Sequence, residues 1–225
     1  MASSYGHEHI VRQLIDMGAN IYLTDEYERT PLFVAAEKYQ DSVVRLIFDI
    51  IHHQNDRAAH ALLNQADKFG WTPCYIASYY GHENMVRLLI ELGADVNVAS
   101  KEEITPLHIS ARFGRKPVAK LLVDAGADVN YIDGNHWTPC YTAAFYKQDE
   151  MVRWLHDEAA ANVNLADKKG RTPCWIAAFH GYLQVIQALY DCGANVNQED
   201  DEGKTPLMIA KEFNKEDVIA FLEAV

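Results

Sequence analysis

The 225-residue sequence has none of the long apolar runs, leader segments or paired cysteines that mark membrane and secreted proteins. No stretch of about 18 apolar residues occurs, so no segment is expected to span a membrane. The first residues contain neither the basic nor the apolar region of a signal peptide, which predicts an intracellular protein, cytoplasmic or nuclear. The four cysteines never stand in Cys-x-x-Cys spacing, so they form no zinc-ribbon or redox motif.

Motifs that carry catalysis are also missing. The chain has no His-Glu-x-x-His sequence, no glycine-rich phosphate loop and no nucleophile motif. Among ten histidines, His52, His53 and His60 form one loose group, but no cysteine or suitably placed carboxylate accompanies them. The sequence therefore predicts a protein that is not an enzyme and that has neither a metal site nor a cofactor.

Positive charge is scarce relative to negative charge. The chain has 20 Lys and Arg residues against 32 Asp and Glu residues, which gives a formal net charge of −12. This balance favours solubility and disfavours non-specific binding to nucleic acid.

One short motif dominates what the sequence does contain. Thr-Pro occurs at residues 30–31, 72–73, 105–106, 138–139, 172–173 and 205–206. From the second copy onwards the intervals are 33, 33, 34 and 33 residues, so a single supersecondary unit is repeated along the chain. A period near 33 predicts a stacked-repeat solenoid, an architecture that presents an extended binding surface.

Each position of the repeat has a physical role. The Thr hydroxyl is expected to cap a first helix, and Pro suits the first helical turn. Some eight residues later, Gly81, Gly114 and Gly181 can end that helix in the left-handed conformation. A second helix follows with apolar residues at 1-2-4-5 spacing, as in residues 85–89, which predicts a face buried against its neighbour.

The repeat resembles the ankyrin repeat. The family's Thr-Pro-Leu-His motif stands at Thr105-Pro106-Leu107-His108, and its Gly-Ala-Asp-Val-Asn loop at Gly126-Ala127-Asp128-Val129-Asn130. The resemblance covers essentially the whole chain. It implies an all-α repeat solenoid whose units have two antiparallel helices and a projecting β-hairpin, with first helices and hairpins forming a concave face. It also implies that His108 is a buried structural residue that makes hydrogen bonds.

The register divides a single domain, residues 1–225, into five full units and a partial unit at each end. These units are 1–24 (partial), 25–66, 67–99, 100–132, 133–166, 167–199 and 200–225, the last a C-terminal cap with a polar outer face.

Three cysteines stand two residues after Thr, in the position of Leu107, and therefore lie in different units: Cys74, Cys140 and Cys174. They are expected to be buried free thiols of a protein from a reducing compartment, and Cys192 is also expected to be a free thiol.

Unit 25–66 is nine residues longer than the others. Asn55 or Asp56 can cap a short helix over 58–63, after a second helix that runs beyond Asp49. The excess stretch Ile51–Leu62 is interpreted as a peripheral loop that can be removed, or alternatively as a second contact site.

Two smaller departures are expected to be local. Tyr39 and Lys147 replace the glycine that ends the first helix, and a positive φ would cost each about 1 kcal/mol. One extra residue within 159–162 predicts a bulge in that loop.

The residues expected to bind a partner stand at the hairpins and at the ends of the first helices, positions that line the concave face in the family resembled. They are Phe69, Trp71, Tyr79, Tyr80, Arg112, Phe113, Trp137, Phe145, Tyr146, Lys168, Arg171 and Phe179. Aromatic side chains and Arg are enriched at protein interfaces and hot spots.

Not every aromatic residue is expected to face a partner. Trp71 and Trp137 are predicted to be exposed, whereas Trp154 and Trp175 fall at core positions of the repeat. For Phe145 and the equivalent Phe179, the alternative is that the ring packs between adjacent repeats.

These features predict a monomeric scaffold that binds a protein or peptide. The segments of the presumed face carry a net charge near +4 within a chain of −12, which suits a partner with apolar anchors and acidic residues. Two alternatives stay open. The chain can be the recognition arm of a larger adaptor, enzyme or channel, or its groove can hold nucleic acid or a small ligand, although the acidic total argues against nucleic acid.

Overall fold

The computed structural model describes all residues from Met1 to Val225, and they form helices joined by short loops. There are fourteen α-helices and one short 3-10 helix over Ala2–Tyr5, and no residue is in a β-strand. The predicted all-α repeat solenoid is therefore confirmed.

The helices alternate between first and second helices of the repeats. First helices are α2 (Pro31–Glu37), α5 (Pro73–Tyr80), α7 (Pro106–Arg112), α9 (Pro139–Phe145), α11 (Pro173–His180) and α13 (Pro206–Glu212). Second helices are α1 (Glu8–Asp16), α3 (Asp41–Gln54), α6 (Glu83–Glu91), α8 (Lys116–Asp124), α10 (Asp149–Asp157), α12 (Leu183–Asp191) and α14 (Glu216–Leu222). The long unit adds α4 (Asp56–Leu63).

Threonine side chains start the first helices as the sequence predicted. In α2, α5, α9, α11 and α13 the Thr hydroxyl accepts a hydrogen bond, 3.1–3.3 Å long, from the backbone N–H three residues later. Pro occupies the next position in each, where it removes no helical hydrogen bond.

The chain forms two compact parts, each made of several repeats, which we call the first unit and the second unit from here on. The first contains Met1–Pro106 and Lys120–Ala127, and the second contains Leu107–Ala119 and Asp128–Val225. Within the first, α2 packs against α3 and α5, and α5 packs against α6. Within the second, α9 packs against α11 and α11 against α13, while α10 packs against α12. That all repeats act as one domain remains a prediction.

The buried faces of the second helices follow the 1-2-4-5 pattern. Met85, Val86 and Leu89 in α6 are fully buried, as are the equivalent apolar residues of α12. In α8 the third position of the pattern, Leu121, is only half-buried. Apolar packing along these faces is the main source of stability in a repeat fold.

All four cysteines are free thiols, as predicted, and Cys192 is buried in addition to the three that were expected to be. Cys74, Cys140 and Cys174 lie in the first helices with at most 1% of their surface exposed. Burial raises the pKa of each of these three thiols to about 12.

We expect these three thiols to resist alkylation in the folded protein, because almost no thiolate exists near neutral pH when the pKa is that high. Iodoacetamide labelling followed by mass spectrometry checks this, with and without urea. Cys192 has 7% of its surface exposed, more than the other three, and should be the first to react. Rapid labelling of any of the other three without urea would contradict the prediction.

The hairpins predicted between repeats are tight turns and not β ladders. In five of them the Asp side chain five residues before Thr accepts hydrogen bonds of 2.8–3.0 Å from the N–H groups two and four residues later. Ser100 takes this role in the sixth. The Asp or Ser side chain therefore holds each turn in its conformation, as paired strands would do in a β-hairpin.

Successive hairpin tips are also joined by single backbone hydrogen bonds. In the first unit the N–H of Lys68 donates to the carbonyl of Tyr27, and the N–H of Lys101 donates to that of Phe69. Gly70 is required there, because it has φ +82° and an added Cβ would lie 2.7 Å from the Lys101 nitrogen. The tips are thus held at fixed spacing.

The insertion folds into the predicted helices, and Leu62 and Leu63 are buried where α4 packs against α3, the second helix of the same repeat. Asn55 caps α4 by accepting a hydrogen bond of 3.0 Å from the N–H of Ala58, and α4 packs against α3. Ile51, Ala59 and Leu62 have at most 2% of their surface exposed. The interpretation of Ile51–Leu62 as a removable peripheral loop stays untested, and the burial of these apolar side chains argues against it.

The positions that end the first helices adopt the left-handed conformation whatever residue stands there. Gly81, Gly114 and Gly181 have φ between 63° and 81°, and Tyr39 and Lys147 have φ of 60° and 62°. The predicted strain at the two non-glycine positions is therefore present.

The extra residue within 159–162 is accommodated locally. Ala160 has φ 56°. The N–H of Ala161 donates to the carbonyl of Leu155, six residues earlier, whereas in the repeat 67–99 the N–H of Ala94 donates to the carbonyl of Leu89, five residues earlier. The loop therefore lengthens by one residue without moving its anchors, which is the predicted bulge.

Replacing Lys147 with Gly should stabilise the protein by roughly 0.5–1 kcal/mol, because relief of left-handed strain exceeds the entropy cost of glycine. The measurement is the free energy of unfolding in urea. Lys147→Ala is the matched control: it removes the same ammonium group, which lies 5.6 Å from the Tyr182 ring, but keeps Cβ and the strain. A Gly variant no more stable than the Ala variant would refute the strain argument.

Candidate functional site

In the first unit, the hairpin tips and the end of α5 bring aromatic rings together. We call Tyr27, Phe69, Trp71, Tyr79 and Tyr80 the first aromatic surface. The Trp71 ring stacks on the buried Tyr75 at 5.3 Å and on Tyr79 at 6.1 Å, and Phe69 lies 5.4 Å from Trp71. Phe69 and Tyr80 are 43% and 45% exposed, so this surface offers apolar area to solvent.

A cation stands over the edge of this surface. The ammonium group of Lys68 lies 4.1 Å from the Tyr27 ring centre and 5.2 Å from that of Phe69. A cleft of about 200 Å³ opens beside it, between the hairpin residues Tyr27 and Trp71 and the helix residues Phe33 and Tyr80. Apolar and aromatic side chains line most of the cleft, together with Arg29, Glu37 and Asp67.

In the second unit, an equivalent arrangement involves more residues. We call Arg112, Phe113, Trp137, Phe145, Tyr146 and Phe179 the second aromatic surface. Trp137 stacks on the buried Tyr141 at 5.0 Å and lies 4.7 Å from Phe145. The Arg112 guanidinium lies 4.5 Å from the Tyr146 ring centre and 5.3 Å from that of Phe113.

The two remaining predicted residues lie on the hairpin before α11. Lys168 is exposed, and its ammonium group donates to the carbonyl oxygen of Gly134. Arg171 is half-buried and its guanidinium donates to Asp167, 2.8 Å from Nε, and lies 5.3 Å from the Trp175 ring centre. Arg171 therefore serves the hairpin itself.

Asp167 is a buried carboxylate that accepts several hydrogen bonds. Burial raises its pKa, but hydrogen bonds from Arg171 and from the N–H groups of Lys169 and Arg171 outweigh burial, so the pKa lies below its usual range. The hydroxyl of Tyr141 also donates to Asp167 over 3.2 Å. This network fixes the hairpin under the second aromatic surface.

The charge expected at the binding surfaces is largely neutralised inside the hairpins. Arg29 forms ion pairs with Asp25 at 2.7 Å and with Glu37 at 3.2 Å. Lys204 pairs with Glu212 at 2.8 Å, and Arg171 pairs with Asp167. The predicted positive charge of these surfaces is therefore carried by cations that form no such pair, chiefly Lys68 and Arg112. Both of these lie over aromatic rings.

Trp71 and Trp137 were predicted to be exposed, but the structure shows them less exposed than that. Both are half-buried, since one face of each ring is covered by a tyrosine in the first turn of the following helix. Phe145 and Phe179 are also half-buried, and each contacts a ring of the next repeat, His180 at 5.0 Å and Phe213 at 4.7 Å, as the packing alternative expects. Trp154 and Trp175 are in the core as predicted, with 3% and 6% exposure.

The set of expected binding residues left out several that belong to these surfaces. Tyr27 stands in the register of Phe69, so alignment of the hairpin tips was the signal that could have found it. Phe213 is 44% exposed and lies 4.7 Å from Phe179. The His180 ring lies 5.0 Å from both Phe145 and Phe179, with its pKa lowered by burial and by the charge of Lys215.

The histidines divide into structural and clustered ones. His108 is buried, and its Nε2 lies 2.9 Å from the carbonyl oxygen of Trp137, as the resemblance implied. Two groups bring possible metal ligands within 4.8 Å of one another: His52, Asp56 and His60 in the first unit, and His156, Asp157 and Cys192 in the second.

Comparison with known protein families gives one consistent result. A family model described as ankyrin repeats, three copies, matches residues 1–100, 50–133, 96–167 and 142–223. Together these stretches include nearly the whole chain.

Comparison with curated proteins points the same way. The 26S proteasome non-ATPase regulatory subunit 10 of Dictyostelium discoideum is 42% identical over 86 residues, 38% of this chain and 34% of that protein. Human ankyrin repeat and SAM domain-containing protein 3 is 50% identical over 40 residues, 18% of this chain and 6% of that protein. Alpha-latrotoxin-Lh1a of Latrodectus hasselti is 38% identical over 80 residues, 36% of this chain and 5% of that protein.

The chain thus spans about a third of the length of the first of these relatives and 6% or less of the other two. None of its helices combines the length and the apolar character that crossing a bilayer requires.

Proposed function

Because the chain belongs to the ankyrin-repeat family, whose repeats are typically modules of protein–protein interaction and not catalysts, we propose that it is a non-catalytic scaffold. Its partner is a protein or peptide segment that contacts the first or second aromatic surface. The observation that carries the proposal is the exposed apolar area of rings such as Phe69, Tyr80 and Phe113, which folding alone does not require.

The chemistry of the partner follows from the rings and the cations. Large apolar side chains of the partner suit the cleft between Trp71 and Phe33, where desolvation gives the largest gain. Carboxylates of the partner suit Lys68 and Arg112, whose positive charges are held over rings and are not cancelled by ion pairs. We therefore propose a segment that combines apolar anchors with Asp or Glu.

Selection from a random peptide library displayed on phage tests the proposal. Selected sequences should share one or two large apolar residues next to Asp or Glu, and they should bind the purified, untagged protein. Failure to enrich any sequence, or enrichment of basic peptides, would count against it. A single-stranded oligonucleotide provides the comparison for the nucleic-acid alternative, because phosphate binding weakens steeply as salt is raised.

A second candidate is that this chain is the recognition segment of a larger protein. It rests on the finding that the stretch matched in the SAM-domain relative is only 6% of that protein. Sequencing the complete transcript tests it, since a longer reading frame supports it and an in-frame stop directly before and after the chain refutes it. Either way, the free buried thiols support a reducing, intracellular location for a monomeric scaffold.

A further inference from the structure

The insertion brings two imidazoles and one carboxylate together at the junction of α3 and α4. Nδ1 of His52 lies 2.8 Å from Oδ1 of Asp56, and Nδ1 of His60 lies 3.1 Å from the same oxygen. We propose that His52, Asp56 and His60 form a binding site for a divalent transition-metal ion, Zn²⁺ in particular. The carboxylate that the sequence did not place near these histidines is thus supplied by Asp56.

The distances fit a metal ion well. Zn²⁺ binds imidazole nitrogen and carboxylate oxygen at about 2.0–2.2 Å in a tetrahedron, which puts neighbouring ligand atoms roughly 3.3 Å apart. The observed separations of 2.8 and 3.1 Å need only a small outward shift of the two rings. Nδ1 of His60 also lies 2.9 Å from the backbone carbonyl oxygen of Asp56, so the metal ion has to replace that contact as well as the one with the carboxylate.

A buried aromatic ring holds both histidines in this arrangement. Phe48 is 6% exposed, and the His52 ring stacks on it at 5.4 Å with an interplanar angle of 15°. The His60 ring meets the edge of Phe48 at 5.7 Å, at an angle of 81°. Packing of this kind orients metal ligands in advance and so lowers the entropy cost of binding.

The rest of the surroundings is compatible with a three-ligand site. The side chains of His52, Asp56 and His60 are 47%, 68% and 42% exposed, so water can complete the tetrahedron. His60 also rests against the next repeat, because a Cβ on Gly93 would lie 2.9 Å from its Nε2. A bound ion would therefore clamp α4 to the end of α3 in the one unit that has an insertion.

The other group is a weaker candidate and serves as a control. His156 and Asp157 are adjacent in sequence, with Nδ1 and Oδ1 3.0 Å apart, and Cys192 is buried with its pKa raised by burial. The guanidinium of Arg153 lies nearby, paired with Asp191 at 2.7 Å. A cation at that point opposes metal binding.

Zn²⁺ binding to the untagged, chelator-treated protein tests the proposal, by competition with a chromophoric chelator. We expect one Zn²⁺ per chain and a loss of affinity of at least about tenfold in His52→Ala, His60→Ala and Asp56→Asn. The matched controls are His53→Ala and His156→Ala, which should bind as the unaltered protein does.

A second measurement does not depend on how the variants fold. In the unaltered protein, Zn²⁺ should shift the imidazole nitrogen resonances of His52 and His60 and leave those of His108 unchanged. The proposal is overturned if the unaltered protein binds no Zn²⁺, if only His156→Ala abolishes binding, or if the two resonances do not move. The first of these results would mean that Asp56 only accepts hydrogen bonds from the two rings.

Discussion

Replacing Ile51–Leu62 with Gly-Ala-Asp, the loop of the other repeats, should strongly destabilise the first unit. Three side chains of this stretch, those of Ile51, Ala59 and Leu62, are at least 98% buried, and α4 packs against α3. Loss of one buried Leu to Ala typically costs about 2–5 kcal/mol, so Leu62→Ala alone should lower the free energy of unfolding by that amount. Urea unfolding followed by circular dichroism measures both variants.

Exposed residues of the same insertion provide the control. Arg57 and His53 are exposed, so Arg57→Ala and His53→Ala should change stability by no more than about 0.5 kcal/mol. A shortened protein as stable and as cooperative as the original would show that the insertion is a removable loop after all. Loss of stability in the exposed variants as well would indicate that the insertion contributes through its surface.

The regular part of the fold could be predicted from the sequence because each repeat contains the same residues that start and end its first helix. Thr at the cap, Pro after it and a left-handed position eight or nine residues later define a helix wherever they occur, and six copies fix the register. Even Lys147 at a glycine position follows the rule, with φ 62°. Local backbone chemistry of this kind does not depend on what lies far away in the chain.

What the sequence could not show is how side chains pair once the turns are formed. The net charge near +4 does not show which cations are paired, and the structure brings Glu37 within 3.2 Å of Arg29 and Glu212 within 2.8 Å of Lys204. In the same way, the turn at Asn55 decides that Asp56 lies between two histidines. Both cases depend on the direction that the chain takes after a turn. Composition and residue spacing do not determine that direction.

Single alanine replacements of Trp71 and Trp137 should weaken binding of a selected peptide by about 1–3 kcal/mol, roughly 5- to 150-fold in the dissociation constant. Each ring is half-buried, with one face stacked on a buried tyrosine, so it is held rigidly and loses little entropy when a partner covers the other face. Rigid aromatic rings in this state are typical anchors of protein interfaces. Fluorescence anisotropy with the labelled peptide measures the effect.

Double variants separate the two surfaces. Trp71→Ala with Tyr80→Ala alters only the first aromatic surface, and Trp137→Ala with Tyr146→Ala alters only the second. The control is Tyr190→Ala on α12, a side chain 42% exposed that lies on neither surface, and it should leave binding unchanged. If the variant with all four replacements keeps its helical circular dichroism signal and still binds with the original affinity, the partner binds elsewhere. If one pair abolishes binding and the other does not, the peptide uses a single unit, because the aromatic anchors of each surface come from hairpins and helices of that unit alone.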